Sequence, residues 1–486
     1  MKITDMTLCG LSSALADKTV SSVEATEACL EAIERKKYLG NFITVCAQSA
    51  LDCARRADEK RARGEAISPL CGVPLAVKDN IVTADIRTTC ASRMLSDFVP
   101  PYDAAVVERL KAAGAVILGK TNMDEYAMGS TDETSAFGAV KNASDPARVP
   151  GGSSGGSANC VAARQAFGAL GSDTGGSIRQ PAAYCGVVGL KPTYSAVSRY
   201  GLIAHASSLD QIGTLTRDCD DALMFLNAIA GADSRDGTST GGLRLPDALP
   251  SEVRGVTVGI ADEFFGTDQL DPRVLSVFES AVKALSCDRV KVKRIKLPTF
   301  PVSLAVYYAV STAEASSNLA RFDGVRYGRR GSGRAVDDMM ISTRTENFGD
   351  EVKRRIMTGG LVLTHGVGGE TYYARAAKIR TVITREIEAA LCDVDYIISP
   401  STPYLAPLIG EQSDPEKTYV SDMYTVPANL SGLPALGVPC GAADGLPVGM
   451  QIIGKRFSEA GMLALGKEVE RRCAEYEPRD RAAGTR

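Results

Sequence analysis

Residues 150–157 read Pro-Gly-Gly-Ser-Ser-Gly-Gly-Ser, and residues 171–181 read Gly-Ser-Asp-Thr-Gly-Gly-Ser-Ile-Arg-Gln-Pro. Each stretch contains a Gly-Gly-Ser turn, and the two serines, Ser153 and Ser177, are 24 residues apart. Glycines let backbone N–H groups approach a ligand closely, and a turn that enters a helix presents unpaired N–H donors to negative charge. The second turn is therefore a candidate oxyanion hole, with Ser177 as a candidate nucleophile for acyl transfer. A flexible Gly/Ser loop is the alternative interpretation of either turn taken alone.

Regular secondary structure is predicted around these turns. Ser157 has the position of a cap for a helix that runs to about Phe167, residues 169–171 lead into the second turn, and Pro181 lies early in another helix. This alternation of helical and short apolar segments favours a mainly parallel or mixed sheet.

The N-terminal third follows the same pattern. A helix is predicted after Ser21, which stands three residues before Glu24 as in a capping box. A second helix is predicted after Asp103, with Gly114 placed to end it. Residues 115–118 then read as a short buried strand.

The C-terminal third returns to this alternation. Strands are predicted over residues 394–399, 436–439 and 450–453, and a final helix after Ser458. Because no long linker isolates these strands, we expect one α/β domain over residues 1–486, with a sheet built from both ends of the chain. Two separate domains are the alternative.

Composition argues against several classes of protein. The formal net charge is only −3, with 55 basic and 58 acidic residues interspersed, so a dominant nucleic-acid-binding surface is not expected. Neither a signal peptide nor a run of 18 apolar residues is found, and a cytoplasmic location is expected. Thirteen cysteines without a C-x-x-C pair and only two histidines argue against a disulfide framework and against a zinc site. No metal is expected in this chain.

A serine nucleophile needs a base, and the scarcity of histidine directs the search to lysine. Lys78 ends the apolar run of residues 73–77, a predicted strand that would carry the ammonium group toward the interior. Desolvation there lowers the pKa of a lysine and makes its neutral form accessible. The alternative is a lysine at a strand end that extends its ammonium group to solvent.

Lys78, Ser153 and Ser177 follow one another at intervals of 75 and 24 residues. In identity and spacing they resemble the Ser-cisSer-Lys triad of the amidase signature family, and the resemblance covers about residues 70–215. It implies an α/β fold whose large mixed sheet is covered by helices on both faces, and a cis peptide bond at Ser153. It also implies that neutral Lys78 takes a proton through Ser153 as Ser177 attacks, and returns it to the leaving amine.

The same resemblance assigns roles to the residues of the second turn. Four consecutive backbone N–H groups would form the oxyanion hole: those of Thr174, Gly175, Gly176 and Ser177. Two charged residues would support the turn: Asp173 and Arg179.

Further stretches are similar to the branch of the family that supplies the A subunits of tRNA-dependent amidotransferases. They are residues 123–131, 207–213, 314–323, 351–356 and 426–430. In that branch an arginine and an aspartate hold the α-carboxylate and the α-ammonium group of glutamine. The matching residues here are Arg355 and Asp422, with Tyr308 as a further candidate nearby. A structural salt bridge is the alternative role for the two charged residues.

This resemblance implies a glutaminase subunit. It would hydrolyse glutamine to glutamate and ammonia, which partner B and C subunits would use to convert Glu-tRNA(Gln) to Gln-tRNA(Gln). No cofactor is expected in this chain, whereas ATP and Mg are expected at the B subunit, and the misacylated tRNA would be reached through the complex. A stand-alone amidase of the same family, acting on another small amide, is the alternative.

The sequence departs from that branch at three places. Thr214 stands where proline is usual, His205 stands where a large apolar residue is common, and residues 364–370 lack the usual tyrosine-rich pattern. None of these departures removes a catalytic group. The third departure changes residues that are expected at the pocket wall and at a partner contact.

Residues 114–121 match the P-loop pattern, which would make the chain a nucleotide-binding protein with Lys120 on the phosphates. A P-loop follows its strand and wraps the phosphate in a flexible turn. Here the four residues between the glycines are themselves an apolar strand, so no phosphate cradle is expected.

Overall fold

The structure is a computed structural model that describes residues 2–65, 67–287, 289–411 and 415–473. The α-helices are α1 (Leu8–Ala16), α2 (Ser22–Arg35), α3 (Ala47–Ala62), α4 (Ala105–Ala112), α5 (Gly155–Ala162), α6 (Arg179–Cys185), α7 (Cys219–Ile229), α8 (Pro272–Leu285), α9 (Phe300–Leu319), α10 (Val336–Asn347), α11 (Asp350–Thr364), α12 (Tyr372–Asp393), α13 (Pro415–Val420), α14 (Val426–Leu430) and α15 (Glu459–Arg472). The strands are β1 (Phe42–Val45), β2 (Pro74–Lys78), β3 (Val116–Thr121), β4 (Gly168–Asp173), β5 (Val188–Lys191), β6 (Gln211–Thr216), β7 (Val256–Ala261), β8 (Val290–Ile295), β9 (Gly366–Val367), β10 (Glu370–Thr371), β11 (Tyr396–Pro400), β12 (Ala435–Ala443) and β13 (Leu446–Gly454). Within the described ranges, no helix has both the length and the apolar character needed to cross a membrane.

Eleven strands form one mixed sheet in the order β1-β3-β2-β4-β6-β5-β12-β13-β11-β7-β8. β2 pairs in parallel with β3 and β4, and β7 pairs in parallel with β8 and β11. The other neighbouring strands are antiparallel. The predicted α/β fold with a large mixed sheet is confirmed.

Both ends of the chain contribute to this sheet. β5, from the first half, pairs with β12, from the C-terminal third, with Lys191 opposite Ala435. β12 pairs with β13, which pairs in turn with β11. β12 and β13 are longer than the short strands predicted there, whereas β11 has five residues and begins two residues later than predicted. The expectation of one sheet built from both ends is therefore confirmed.

Helices cover both faces of the sheet, and β12 makes this clear. A Cβ atom added to Gly437 would meet Arg179 of α6, whereas one added to Gly466 of α15 would meet Leu436 and Val438. Successive residues of a strand point to opposite faces. It follows that α6 and α15 pack on opposite faces of β12.

The start of α2 and the end of α4 agree with the sequence prediction. At the start of α2, the Glu24 N–H donates to Ser21 Oγ at 3.1 Å, and the Ser21 N–H donates to Glu24 Oε2 at 2.8 Å. Gly114 follows α4 with a φ of 76°, a left-handed conformation that glycine adopts readily at a helix end.

The prediction that Ser157 caps a helix through Phe167 is wrong. α5 begins two residues earlier and ends five residues earlier. The Gly156 N–H donates to Asp132 Oδ2 at 2.8 Å, so a carboxylate distant in sequence supplies an acceptor at the helix start. The Ser157 hydroxyl instead donates to Leu170 O at 3.0 Å, which ties α5 to β4.

The parallel strands β2 and β4 bring the candidate residues to one edge of the sheet. These strands are neighbours, and their C-terminal ends therefore lie together. Lys78 is the last residue of β2, and Asp173 is the last residue of β4. The second Gly-Gly-Ser turn follows β4 directly and leads into α6.

Candidate active site

The Lys78 side chain ends among three serine hydroxyls. Lys78 Nζ is 2.8 Å from Ser153 Oγ, 2.8 Å from Ser154 Oγ and 3.0 Å from Ser172 Oγ. Asn80 Nδ2 donates to the same Ser172 hydroxyl at 2.9 Å. All these side chains are buried. The structure thus joins Lys78 and Ser153, two of the three predicted catalytic residues, by a direct hydrogen bond.

Burial lowers the pKa of Lys78 to about 8 from an ordinary value of 10.5, because the interior penalises the charged ammonium group. The buried carboxylates Asp132 and Asp124 act in the opposite direction, since negative charge favours the ammonium form. Desolvation is the larger effect. Lys78 is therefore partly neutral near neutral pH, and a neutral amine accepts protons.

Ser177 adjoins this cluster. The Ser154 N–H donates to Ser177 O at 3.0 Å, which holds the two Gly-Gly-Ser turns against each other. Ser177 is 8% exposed, whereas Ser153 and Lys78 are fully buried, so solvent reaches the site at Ser177. The peptide bond between Gly152 and Ser153 is cis, as the family resemblance implies. Among the described residues no hydrogen bond links the Ser177 hydroxyl to Ser153, so that step of the relay stays a prediction.

An ion pair between Asp173 and Arg179 shapes the second turn. Arg179 Nη2 lies 2.9 Å from Asp173 Oδ1, and both side chains are fully buried. Burial opposes ionisation of Asp173, but the charge of Arg179 and its hydrogen bonds outweigh burial and lower the pKa of this carboxyl to about 2. Asp173 also accepts the N–H groups of Gly176 at 2.9 Å and of Ile178 at 3.1 Å. The ionised carboxylate therefore organises the backbone of the turn.

Arg179 also connects this turn to the C-terminal third of the chain. Its guanidinium donates to Thr425 O at 2.9 Å, to Asn429 Oδ1 at 2.6 Å and to Gln451 Oε1. The turn is thus supported by residues about 250 positions away in sequence.

The N–H groups expected in the oxyanion hole are not equivalent. The Gly176 N–H is engaged by the carboxylate described above, whereas in the described part of the chain those of Thr174 and Gly175 meet no acceptor. A Cβ atom on Gly175 would lie 2.3 Å from the Tyr307 ring, and one on Gly176 would lie 2.2 Å from Thr425 Oγ1. Only glycine fits at either position, so neighbouring side chains lie directly against the backbone of the turn.

A second cluster is centred on the buried carboxylate of Asp422. It accepts hydrogen bonds from Ser130 Oγ at 3.0 Å and from Tyr308 OH at 3.2 Å. Burial raises the pKa of Asp422 to about 7. Asp422 stands three residues before Thr425, whose hydroxyl donates to Gly175 O at 2.6 Å. This short segment places the Asp422 cluster next to the second turn.

Arg355 lies against the same tyrosine. Its guanidinium carbon is 5.3 Å from the ring centroid of Tyr308 and 5.4 Å from that of Tyr419, and the two rings stack at 4.1 Å. Arg355 Nε donates to Glu351 Oε1 at 2.7 Å. Among the described residues the two terminal nitrogens of Arg355 donate to no acceptor. The predicted pair, Arg355 and Asp422, thus flanks Tyr308 and offers one cation and one carboxylate.

Comparison with known proteins identifies the family. Residues 24–463 match the family model described as Amidase, which is most of the chain. The chain belongs to the amidase signature family. The family suggested by the Gly-Gly-Ser turns and Lys78 is therefore confirmed.

This amidase is similar to proteins of one branch over its full length. It is 50% identical over 484 residues to the A subunit of glutamyl-tRNA(Gln) amidotransferase from Moorella thermoacetica, with 99% of each chain covered. The solved structure of the corresponding A subunit from Thermotoga maritima matches at 39% identity with a TM-score of 0.79, covering 98% of this chain and 97% of that one. Peptide amidase from Stenotrophomonas maltophilia matches at 30% identity with a TM-score of 0.82 over 98% of both chains.

Sequence reasoning missed several residues that contact the predicted site of this amidase, among them Ser130, Ser154, Ser172 and Tyr419. Ser154 and Ser172 stand next to Ser153 and Asp173 in the quoted stretches, and this adjacency was the available signal. Ser130 lies in residues 123–131, which resemble the family. No pattern in the sequence marks Tyr419, because only the folded chain stacks its ring on Tyr308.

The structure argues against a P-loop in this amidase. The Val-Ile-Leu-Gly-Lys-Thr run forms β3, and Lys120 within it is fully buried. Lys120 Nζ donates to Ile81 O at 2.5 Å and to Thr88 Oγ1 at 2.8 Å, so its ammonium group faces the interior. Within the described ranges, no three His, Cys, Asp or Glu residues are grouped to hold a metal ion.

The three departures from the branch lie in different environments. His205 is buried and, among the described residues, its ring nitrogens have no partner. Burial lowers the pKa of His205 well below its ordinary value, so the ring is neutral. Thr214 lies in β6 between Leu170 and Leu190. Residues 364–370 contain most of the β9–β10 hairpin that joins α11 to α12.

Proposed function

We propose that this amidase is the A subunit of a tRNA-dependent amidotransferase and hydrolyses glutamine to supply ammonia. The observation that carries the proposal is the arrangement around Tyr308, where Arg355 and Asp422 flank one ring beside the serine cluster. Glutamine bears an α-carboxylate and an α-ammonium group at the end opposite its amide. A guanidinium and a carboxylate complement these two groups and direct the amide toward Ser177. The similarity to the amidotransferase protein of Moorella thermoacetica supports the same assignment.

The proposed reaction uses the two Gly-Gly-Ser turns together. Ser177 Oγ attacks the amide carbon of glutamine, its proton passes to Ser153, and the Ser153 proton passes to neutral Lys78. The backbone N–H groups of Thr174 and Gly175 stabilise the oxyanion. As the C–N bond breaks, Lys78 returns a proton through Ser153 to the departing ammonia. Water then attacks the glutamyl ester by the same proton route, and glutamate is released.

In the proposed complex the ammonia passes to partner B and C subunits. The B subunit would hold ATP and Mg, which would supply the free energy for the conversion of Glu-tRNA(Gln) and ammonia to Gln-tRNA(Gln). This chain contributes a single amidase domain, residues 1–486, and no cofactor. The pairing of β5 with β12 in one sheet supports the single domain.

Glutamine hydrolysis by the isolated chain and by the three-subunit complex tests the proposal. Ammonia release should rise sharply when the B and C subunits, ATP and Glu-tRNA(Gln) are added, and amide-labelled [15N]glutamine should label the Gln-tRNA(Gln) formed. The Ser177→Ala complex, the matched control, should release no ammonia. The fold similarity to peptide amidase favours one alternative, a stand-alone amidase. Fast hydrolysis of another small amide by the isolated chain, unchanged by the partners, would establish that alternative.

A further inference from the structure

Glu125 is a buried carboxylate that binds the start of α11, the helix that carries Arg355. It is 2% exposed. Its Oε2 atom accepts the backbone N–H of Gly349, the N-cap residue of α11, at 2.8 Å. Its Oε1 atom accepts the Ser92 hydroxyl at 2.5 Å, and Ser92 Oγ lies 3.3 Å from Asn347 O. Glu125 and Ser92 together hold the chain that enters α11.

The fit at this contact is close. A Cβ atom on Gly349 would lie 2.3 Å from Glu125 Oε2. The φ of Gly349 is −71°, which any residue adopts, so the carboxylate and not the backbone conformation requires glycine here. Beside the contact, the ring of Tyr126 packs edge-on against Phe348 at 5.6 Å. Polar and aromatic contacts thus fix the same junction.

The start of α11 determines where Arg355 lies. Arg355 follows Gly349 by six residues, which is about 9 Å along a helix. The first turn of α11 also carries Glu351, which accepts from Arg355 Nε at 2.7 Å and from Tyr419 OH at 2.9 Å. The first N–H groups of a helix have no partner within it, and negative charge is favoured there. Glu125 supplies an acceptor at this point, and fraying of the turn would displace Glu351 and Arg355 together.

We propose that Glu125 is a positioning residue for glutamine binding, which fixes the first turn of α11 so that Arg355 meets the α-carboxylate of glutamine. The inference rests on the proposed function, since it requires that Arg355 hold this carboxylate. In the described part of the chain Glu125 forms no hydrogen bond with Lys78 or its serines. It therefore acts on substrate binding and leaves the bond-breaking step to the serine cluster.

The test compares glutamine kinetics of the complete three-subunit complex with wild-type, Glu125→Ala and Glu125→Gln chains. Assays run at pH 8, because burial raises the pKa of Glu125 to about 7 and the group is then mainly ionised. The alanine variant loses a buried acceptor, so KM for glutamine should rise about tenfold while kcat stays within about threefold. Glutamine at this position still accepts from Gly349 and can donate to Ser92. Glu125→Gln should therefore restore most of the affinity.

A second substrate separates positioning from general damage. 4-Aminobutanamide is glutamine without its α-carboxylate and cannot use Arg355, so Glu125→Ala should hydrolyse it with the kcat/KM of the wild type. Gly349→Ala should raise KM for glutamine by itself, because its new methyl group meets the carboxylate of Glu125. In the Glu125→Ala background, Gly349→Ala should raise KM for glutamine little further, since loss of the carboxylate leaves room for the new methyl group.

Two results would overturn the inference: an unchanged KM for glutamine in both single alanine variants, or an equal loss of kcat/KM for both substrates. If Glu125→Ala does not fold, Gly349→Ala carries the test alone. Failure of the wild-type complex to hydrolyse glutamine would overturn the proposed function instead.

Discussion

Raising the pH from 6 to 9 at saturating glutamine should increase the rate of Ser177 acylation in proportion to the neutral fraction of Lys78. Lys78 has a pKa of about 8, and in the proposed mechanism its neutral amine accepts the proton. The rate should rise with pH because this neutral form becomes more abundant. The neutral fraction is about 9% at pH 7, about 50% at pH 8 and about 91% at pH 9. The rate should therefore rise about tenfold between pH 7 and pH 9 and level off above pH 9. A lysine with its ordinary pKa would show a rise of about one hundredfold without levelling off.

The assay is the burst of ammonia released in the first turnover of the three-subunit complex, followed by rapid quench. Saturating glutamine keeps substrate binding out of the measured rate. This matters because Asp422, with a pKa raised to about 7 by burial, titrates in the same range. Mass spectrometry of the quenched chain identifies the glutamyl ester at Ser177.

Lys78→Arg is the matched control, since guanidinium keeps the positive charge but stays protonated at every pH of the assay. Its burst should be below about 1% of the wild-type burst, as expected when general-base catalysis is lost. A pH-independent burst in the wild type, or a substantial burst in Lys78→Arg, would show that Lys78 supplies only charge and that another group is the base.

Three further substitutions test the site. Ser177→Ala should abolish the glutamyl ester while thermal unfolding stays near that of the wild type, and near-normal glutaminase activity would refute its role. Ser153→Ala should reduce the burst by about 10²–10⁴-fold without abolishing it, because water can replace one hydroxyl in the relay, and a wild-type burst would remove Ser153 from the mechanism. Asp422→Asn should raise KM for glutamine at least tenfold by a lost charged contact. The wild type should show a rising KM as pH falls below about 7, where Asp422 loses its charge, and the asparagine variant should not.

Features that depend on neighbouring residues in sequence were predicted well. The capping box at Ser21 and Glu24 lies within four residues, and the structure contains both of its hydrogen bonds. The apolar run before Lys78 indicated a buried strand end, and burial does lower the pKa of that lysine. The Gly-Gly-Ser turn before α6 indicated Ser177, and the family resemblance added Ser153; both catalytic roles stay predictions.

Features that depend on distant residues were predicted poorly. Ser157 has the local pattern of a helix cap, but Asp132 binds the start of α5 from 24 residues away. Ser172 and Tyr419 reach the site only because β4 and the segment before α14 fold next to it. The charged pair Arg355 and Asp422 came from family resemblance, since no local pattern distinguishes a ligand-binding arginine from one in a structural salt bridge.

The pairing of β5 with β12 has a consequence for how this protein is made. β5 has only β6 as a neighbour until β12 has been synthesised, because Lys191 pairs with Ala435. Until then β5 is an open edge of the sheet. The guanidinium of Arg179 likewise lacks three of its hydrogen-bond acceptors until Thr425, Asn429 and Gln451 have been synthesised. Contacts between residues so distant in sequence give a high contact order, which slows folding. A nascent chain with an open strand edge and an arginine that lacks part of its hydrogen bonds is prone to aggregate. The second Gly-Gly-Ser turn therefore gains its last supporting contacts only after Gln451 has been synthesised.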